Sequence, residues 1–238
     1  MESTKIKISS FVELNQDFLC SAHNMIIQAY KADTSNKITH SSLSYVLSCI
    51  LLSVCYLESF INSFYSEIND IEYNKTLGRK LEKYNILQAL YKDFDIDRKS
   101  ILEKYNIFLK YAKGIYLDRG SKIYQNTQIL IDFRNELVHF KAYWSDKPNY
   151  KKNKNPVIML KNKYRILVQE HESSELLGFW RYPCACWALN TVINFTEFFW
   201  NQLFPGEKYI YAHHTDKIKI SLAEMKWESK YNNTSFKK

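Results

Sequence analysis

Apolar residues recur every three to four positions along much of the chain, which is the spacing of amphipathic helices. A first helix is predicted from about Ser10 to Lys31, with Phe11, Leu14, Phe18, Ala22, Met25, Ile26 and Ala29 on one stripe. A second begins after Thr39 and the capping pair Ser41-Ser42 and runs to about Asn69. It is apolar nearly all round at first, then narrows to Leu57, Phe60, Ile61, Phe64 and Ile68. Further helices are predicted over 76–91, 98–113 and 121–139, the last with Ile123, Leu130, Ile131, Phe133, Leu137 and Val138 as its apolar members. Gly114 and Gly120 bracket a short connection before it. The pattern then changes. Residues 141–156 are basic and polar and read as a loop, and Val157–Leu160 with Tyr164–Val168 are expected to form a short hairpin. Pro183 suits the first turn of a last long helix, which Pro205-Gly206 would stop near Phe204. Trp187, Phe195, Phe198, Phe199 and Trp200 on that helix are expected in the core or an interface. A polar tail follows from about Trp227.

Composition narrows the choice to an all-α fold. Only 5 Gly and 4 Pro occur in 238 residues, too few turn formers for a small β-sandwich. With 46% hydrophobic and 16% aromatic residues the chain is not disordered, and its length is enough to bury a sizeable core. From Ile38 to Leu57 no residue is charged, close to the length a bilayer demands. The serines at 44, 48 and 53 favour a buried core helix instead. The first residues lack the apolar run of a signal peptide, so a cytoplasmic protein without a membrane segment is expected. The five cysteines, at 20, 49, 55, 184 and 186, do not form a secreted disulfide framework and read as reduced core residues. Cys184-Ala-Cys186 has no second ligand pair to make a zinc site.

Charge adds a local feature. Lys and Arg total 33 against 25 for Asp and Glu, a net of +8. Between Lys141 and Arg165 eight basic residues face one acid, Asp146, so this segment alone contributes +7. Such a cluster attracts polyanions, although a solvated lysine-rich loop has the same composition.

The string Asp132-Phe-Arg-Asn-Glu-Leu-Val-His-Phe140 holds the densest chemistry. It ends an otherwise apolar helix just before the basic loop. His titrates near neutral pH and can move a proton; Arg offers a fork of donors matched to phosphate oxygens; Asn can orient either. On a helical wheel Asn135 and His139 lie about 40° apart, but Arg134 and His139 about 140°. Convergence of the latter two needs a helix that ends at or before His139, or a long reach by Arg134. Glu58 stands in the most apolar helix, where a carboxylate needs a partner, and Arg134 is one candidate for it. Asn62 follows Glu58 by one turn on the same face. There is no carboxylate cluster and no Cys/His ligand set, so no metal and no cofactor are called for.

The run Arg134-Asn-Glu-Leu-Val-His139 resembles the R-x4-6-H signature of HEPN domains, a helical family in which a polar residue often follows the Arg. The likeness covers about residues 10–140 and 183–204 of a single domain spanning 1–238, with 141–182 as an insertion and 227–238 as a tail. The resemblance implies a metal-independent endoribonuclease of the toxin–antitoxin or antiphage-defence type, in which the 2′-hydroxyl of RNA attacks its own phosphate. It implies His139 as general acid or base, Arg134 as the phosphate clamp and Asn135 as a positioning group, with Glu58 and Asn62 supporting. Lys141, Lys151, Lys152 and Lys154 would hold flanking phosphates of the RNA. It further implies a homodimer with two motifs in one cleft, and an antitoxin or defence-system partner. Some family members carry Tyr two residues after the motif His, where a partner enzyme modifies it; Lys141 stands there instead. Two other readings stay open. One is a non-catalytic module of the family that binds RNA, a nucleotide or a protein. The other is an inert helical dimer, in which Arg134 and His139 are a helix-end ion pair and a surface histidine.

Overall fold

Helices alone make up the regular structure of the described residues, 14–34, 40–69, 95–139 and 181–224 of a computed structural model. In order these are α1 (Asn15–Thr34), α2 (His40–Asn69), a single 3-10 turn (Ile96–Arg98), α3 (Ile101–Lys113), α4 (Lys122–Val138), α5 (Tyr182–Leu203) and α6 (Ala212–Glu224). No strand occurs among the described residues. The helix expected at 76–91, the 141–180 stretch with its basic run and hairpin, and the tail after 227 lie outside them.

The two most apolar helices, α2 and α5, form the centre. α2 packs on α1, α3, α4 and α5, and α5 additionally touches α6. Both are apolar on several faces because each is enclosed on several sides. By length and composition α2 could cross a bilayer, and it is alone in this among the described residues. Half of its apolar stretch is buried against the other helices, including Val46, Ile50, Val54, Leu57 and Ile61. Where α2, α3 and α5 meet, aromatic rings pack edge to face. Tyr105 and Phe199 stand 4.7 Å apart at 90°, Phe64 and Phe199 5.6 Å at 83°, and Phe64 and Phe108 5.3 Å at 83°. Such pairs add about 0.5–1.5 kcal/mol each beyond the area they bury.

Buried hydroxyls and amides are paired inside this core, as their desolvation demands. The Tyr105 hydroxyl donates to the Leu57 carbonyl at 2.7 Å, and that of Tyr65 to the Lys104 carbonyl at 2.9 Å. The fully buried Asn15 donates to Ser63 Oγ at 3.1 Å and to the Tyr211 hydroxyl at 3.2 Å, and accepts from Ser59. Asn15 thereby rotates α1 from the expected stripe. The buried line runs through Asn15, Leu19, Ala22, Ile26 and Ala29, while Leu14 is 48% exposed.

Asp33 closes the junction of three helices. Its carboxylate, 3% exposed, accepts from Ser42 Oγ at 2.9 Å and from the Tyr182 backbone N–H at 2.9 Å. Arg181 Nε lies 3.6 Å away. A negative charge at the first turn of α5 also complements the helix dipole.

Two expectations need correction. The helix that begins near Pro183 is not the last, because α6 follows it after the turn at Gly206, where φ is +84°. Ala212, Thr215 and Ile218 bury one side of α6. Lys219 pairs with Glu197 of α5 at 2.6 Å, and His23 of α1 bonds Ser221 at 3.0 Å. The cysteines are all free thiols as expected, but they are not all core residues: Cys49 and Cys184 are buried, Cys20 and Cys186 half-buried, and Cys55 is exposed.

Asp33→Ala is expected to destabilise the fold by about 3 kcal/mol, since it strands Arg181 and a helix N-terminus. Asp33→Asn, which keeps an acceptor, should cost less; equal urea midpoints for wild type and both variants would refute this. A pH dependence follows from His23, whose partial burial holds its imidazole below the ordinary range. The unfolded chain then binds the proton more readily, so this contribution is complete above about pH 6.5 and declines as pH falls toward the lowered folded value. Thermal midpoints of His23→Gln should accordingly drop less between pH 7 and pH 5 than those of the wild type.

Candidate functional site

The motif helix α4 is built for its position. Ser121 caps it, its Oγ accepting from the Tyr124 N–H at 3.2 Å, and Leu130, Ile131 and Phe133 bury its inner side. That inner side packs on α2 and α5. Arg134 comes next along the helix and is drawn partly inward.

Its guanidinium Nη2 lies 3.5 Å from Glu58 Oε2 on α2, the side chains being 25% and 41% exposed. The carboxylate in the apolar helix thus has a cationic partner, and that partner is the motif arginine. At this separation and exposure the pair contributes on the order of 1 kcal/mol or less to stability. Arg134 Nε is buried and has no hydrogen-bond partner among the described residues.

Asn62, one turn beyond Glu58, is taken up differently. Its Oδ1 accepts from Lys104 Nζ at 3.0 Å. Lys104 is only 3% exposed, and the reading of the sequence did not single it out. The signal was present, since Lys104 interrupts the apolar series Ile101, Leu102, Tyr105 and Phe108 on the inner face of α3. Cys55, Glu58 and Asn62 therefore mark one face of α2, with Arg134 and Lys104 as the cations set against it.

The end of α4 behaves otherwise. The helix stops at Val138, and His139 is its C-cap, with φ −103° and ψ 23°. Its N–H still bonds the Asn135 carbonyl at 2.9 Å, so the chain leaves the helix at that point. The wheel angle of about 140° between Arg134 and His139 therefore does not bind the imidazole, which stands beyond the last helical residue. Asn135 and His139 are both exposed, and Val138 between them is 57% exposed. One chain presents the imidazole to solvent and holds the guanidinium partly under the surface. Lys141, Lys151, Lys152 and Lys154 lie outside the described residues.

Among the described residues no group of three or more His, Cys, Asp or Glu side chains is arranged to hold a metal ion. His213 and His214 are adjacent on α6, their rings 5.5 Å apart, and His214 bonds Gln16 at 2.5 Å.

Comparison with known protein families, with curated proteins and with solved structures gives no match at any of the three levels. The likeness to HEPN domains rests on the motif and its helical setting.

The ion pair has a chemical reporter in Cys55. Burial raises its thiol pKa first of all; Arg134 acts to lower it and Glu58 to raise it. Glu58→Gln should therefore speed alkylation of Cys55 by iodoacetamide at pH 7.5, and Arg134→Gln should slow it, each by about two- to fivefold. Mass spectrometry of the labelled peptide reads the rate at this cysteine alone, and unchanged rates in both variants would place the pair elsewhere.

Proposed function

We propose that the chain is a metal-independent endoribonuclease of the HEPN type, acting as a homodimer. The observation that carries this reading is the division of labour at the end of α4. A partly buried guanidinium is set against Glu58, and an exposed imidazole stands just over one turn further on. Fixed positive charge suits the non-bridging oxygens of a phosphodiester, where charge accumulates as the phosphorus becomes five-coordinate. An exposed imidazole suits proton transfer near neutral pH.

In the proposed reaction the ribose 2′-oxygen bonds to phosphorus and the bond from phosphorus to the 5′-oxygen breaks. A base takes the 2′-hydroxyl proton and an acid supplies one to the leaving 5′-oxygen, so a 2′,3′-cyclic phosphate and a 5′-hydroxyl result. One His139 can fill one role at a time, and a second copy supplies the other. Val138, 57% exposed beside the motif, gives two such helix ends an apolar point of contact. Asn135, exposed on the same end, is placed to orient a phosphate oxygen or the imidazole. The lysines at 141, 151, 152 and 154 add positive charge to the sequence that follows the motif, so binding is expected to weaken steeply with salt. Toxin or antiphage-defence activity, with an inhibitory or activating partner protein, is the setting in which this chemistry fits the proposal.

A second reading keeps the binding and drops the turnover. It is favoured by the same observation taken in one chain, where guanidinium and imidazole occupy different surroundings. If no second copy assembles, the site binds phosphate without cleaving.

Purified protein is expected to cleave single-stranded RNA in EDTA and leave cyclic-phosphate ends. His139→Ala should lower the rate by about 10²- to 10⁴-fold with an unchanged circular dichroism spectrum. If one cleft needs both copies of His139, mixed dimers of wild-type and His139→Ala chains should be nearly as impaired as dimers of the variant alone. Cleavage by His139→Ala at the wild-type rate would overturn the mechanism, and phosphate-dependent RNA binding without any products would favour the binding module.

A further inference from the structure

The opposite end of α4 borders a cavity that the motif does not use. It has a volume of about 550 Å³ and lies between α3, the 114–121 connection and the first turn of α4. This is within the range of about 300–1,000 Å³ typical of small-molecule sites. Its lining combines three cations, Lys99, Lys110 and Arg119, with three tyrosines, Tyr111, Tyr116 and Tyr124. The cavity's one carboxylate, Glu103, is already engaged by Lys99 at 3.6 Å. Three cations against one acid leave a balance of +2 at the cavity wall.

The rings and the charges are interleaved. Lys110 Nζ lies 5.1 Å from the centre of the Tyr111 ring and 5.4 Å from that of Tyr116. A hydrogen bond with the Tyr116 hydroxyl, followed by the influence of Tyr111, pushes the Lys110 ammonium above its ordinary range, so it stays charged at neutral pH. Tyr116 is 61% exposed on the connection, an aromatic surface that the fold leaves open to solvent. The connection itself is anchored. Asn106 Oδ1 accepts from the Leu117 N–H at 2.9 Å, and Gly114 ends α3 in the left-handed conformation at φ +74°. Tyr116 is thus an exposed ring on a tethered loop.

We infer that this cavity binds a nucleotide unit, its planar base stacked on the tyrosines and its phosphate held by Lys110 and Arg119. Cations alone would suit any anion, including an acidic peptide. Three tyrosines in the lining, with the Tyr116 ring largely exposed, favour a ligand that is flat as well as anionic. Along the axis of α4 the fifteen residues from Tyr124 to His139 span about 20 Å, so the cavity is a site separate from the motif. The inference does not depend on catalysis at His139. The nucleotide unit can come from a free mononucleotide or from a stretch of RNA strand.

Binding of UMP, AMP, ribose 5-phosphate, a uridine octanucleotide and a hexaglutamate peptide, each measured by calorimetry on the full chain at low and high salt, tests this. The uridine octanucleotide is titrated into His139→Ala protein, so that cleavage does not intrude. UMP and AMP are expected to bind about tenfold more tightly than ribose 5-phosphate, which lacks the base. Tyr116→Ala should weaken nucleotide binding by about tenfold, and Arg119→Gln should reduce its salt dependence. Both positions are exposed, so folding is not at stake. His139→Ala should leave mononucleotide binding unchanged, which separates this site from the motif. A tighter octanucleotide identifies the strand as the source, and equal affinities identify the free nucleotide; both uphold the site. Hexaglutamate bound as well as UMP, nucleotide binding indifferent to Tyr116→Ala, or no binding at all would overturn it.

Discussion

A single carboxylate in an apolar helix constrains much of what surrounds it. Between Ile38 and Ser66 the only charged side chain is Glu58, and α2 is enclosed by four other helices. Glu58 is half-exposed at 41%, yet a carboxylate among apolar neighbours is still better accommodated beside a cation or a donor than alone. Arg134 meets that demand, and because it follows Phe133 on α4, it helps set the register in which α4 lies on α2. The position of His139 depends on that register. The helix that carries the guanidinium inward is the helix whose end carries the imidazole outward. The buried face of α4, with this pair beside it, sets the guanidinium partly inward and leaves His139 exposed at the helix end.

The same logic recurs at the joints of the bundle. Apolar contact is non-directional, and long helices that bury apolar faces could slide or rotate against each other at little cost. Buried polar groups remove that freedom, because each has few acceptable partners. Asn15 ties the start of α1 to α2 and to Tyr211 ahead of α6, and Asp33 ties its end to Ser42 and to the first turn of α5. With both ends of α1 held, the central helices have one arrangement, and the α4 site inherits it.

The helical class, the start of α2, the span of α5 and the presence of α4 were all legible in apolar spacing and end signals. The failures have physical causes. Leu14 was placed on the buried stripe because it is apolar, but Asn15 takes that place because three polar partners wait for it. Partners so distant in the sequence leave no local trace. The helix α6 was missed because Pro205-Gly206 reads as a terminus, although Tyr211, Thr215, Ile218 and Leu222 keep the helical spacing beyond it. Lys104 was overlooked for the opposite reason: a lysine in an apolar series reads as a surface interruption, whereas here it reaches Asn62 across the core. Glu58 and Arg134 were legible because the cost of an isolated charge is visible in one dimension. The cavity near Tyr116 was not, because its cations and rings come together only when α3 turns back at Gly114.

The placement of the two ends of α4 has a mechanical consequence. The Ser121 cap closes its first turn and Asn106 of α3 tethers the connection before it at Leu117, while the last turn opens into His139 with no continuation of the helix. A helix transmits position rigidly along its axis, since each backbone bond fixes the next. Whatever binds at the Tyr116 end is thereby held at a fixed distance of about 20 Å from the motif. A nucleic-acid strand would have several nucleotides between the two points, and the basic residues from Lys141 onward enter the chain directly after the motif. Separation of the cation–tyrosine cavity from the arginine–histidine end thus suits a long, flexible, anionic ligand better than a compact one. A strand long enough to span that distance could engage both ends at once, whereas a mononucleotide would engage the cavity alone.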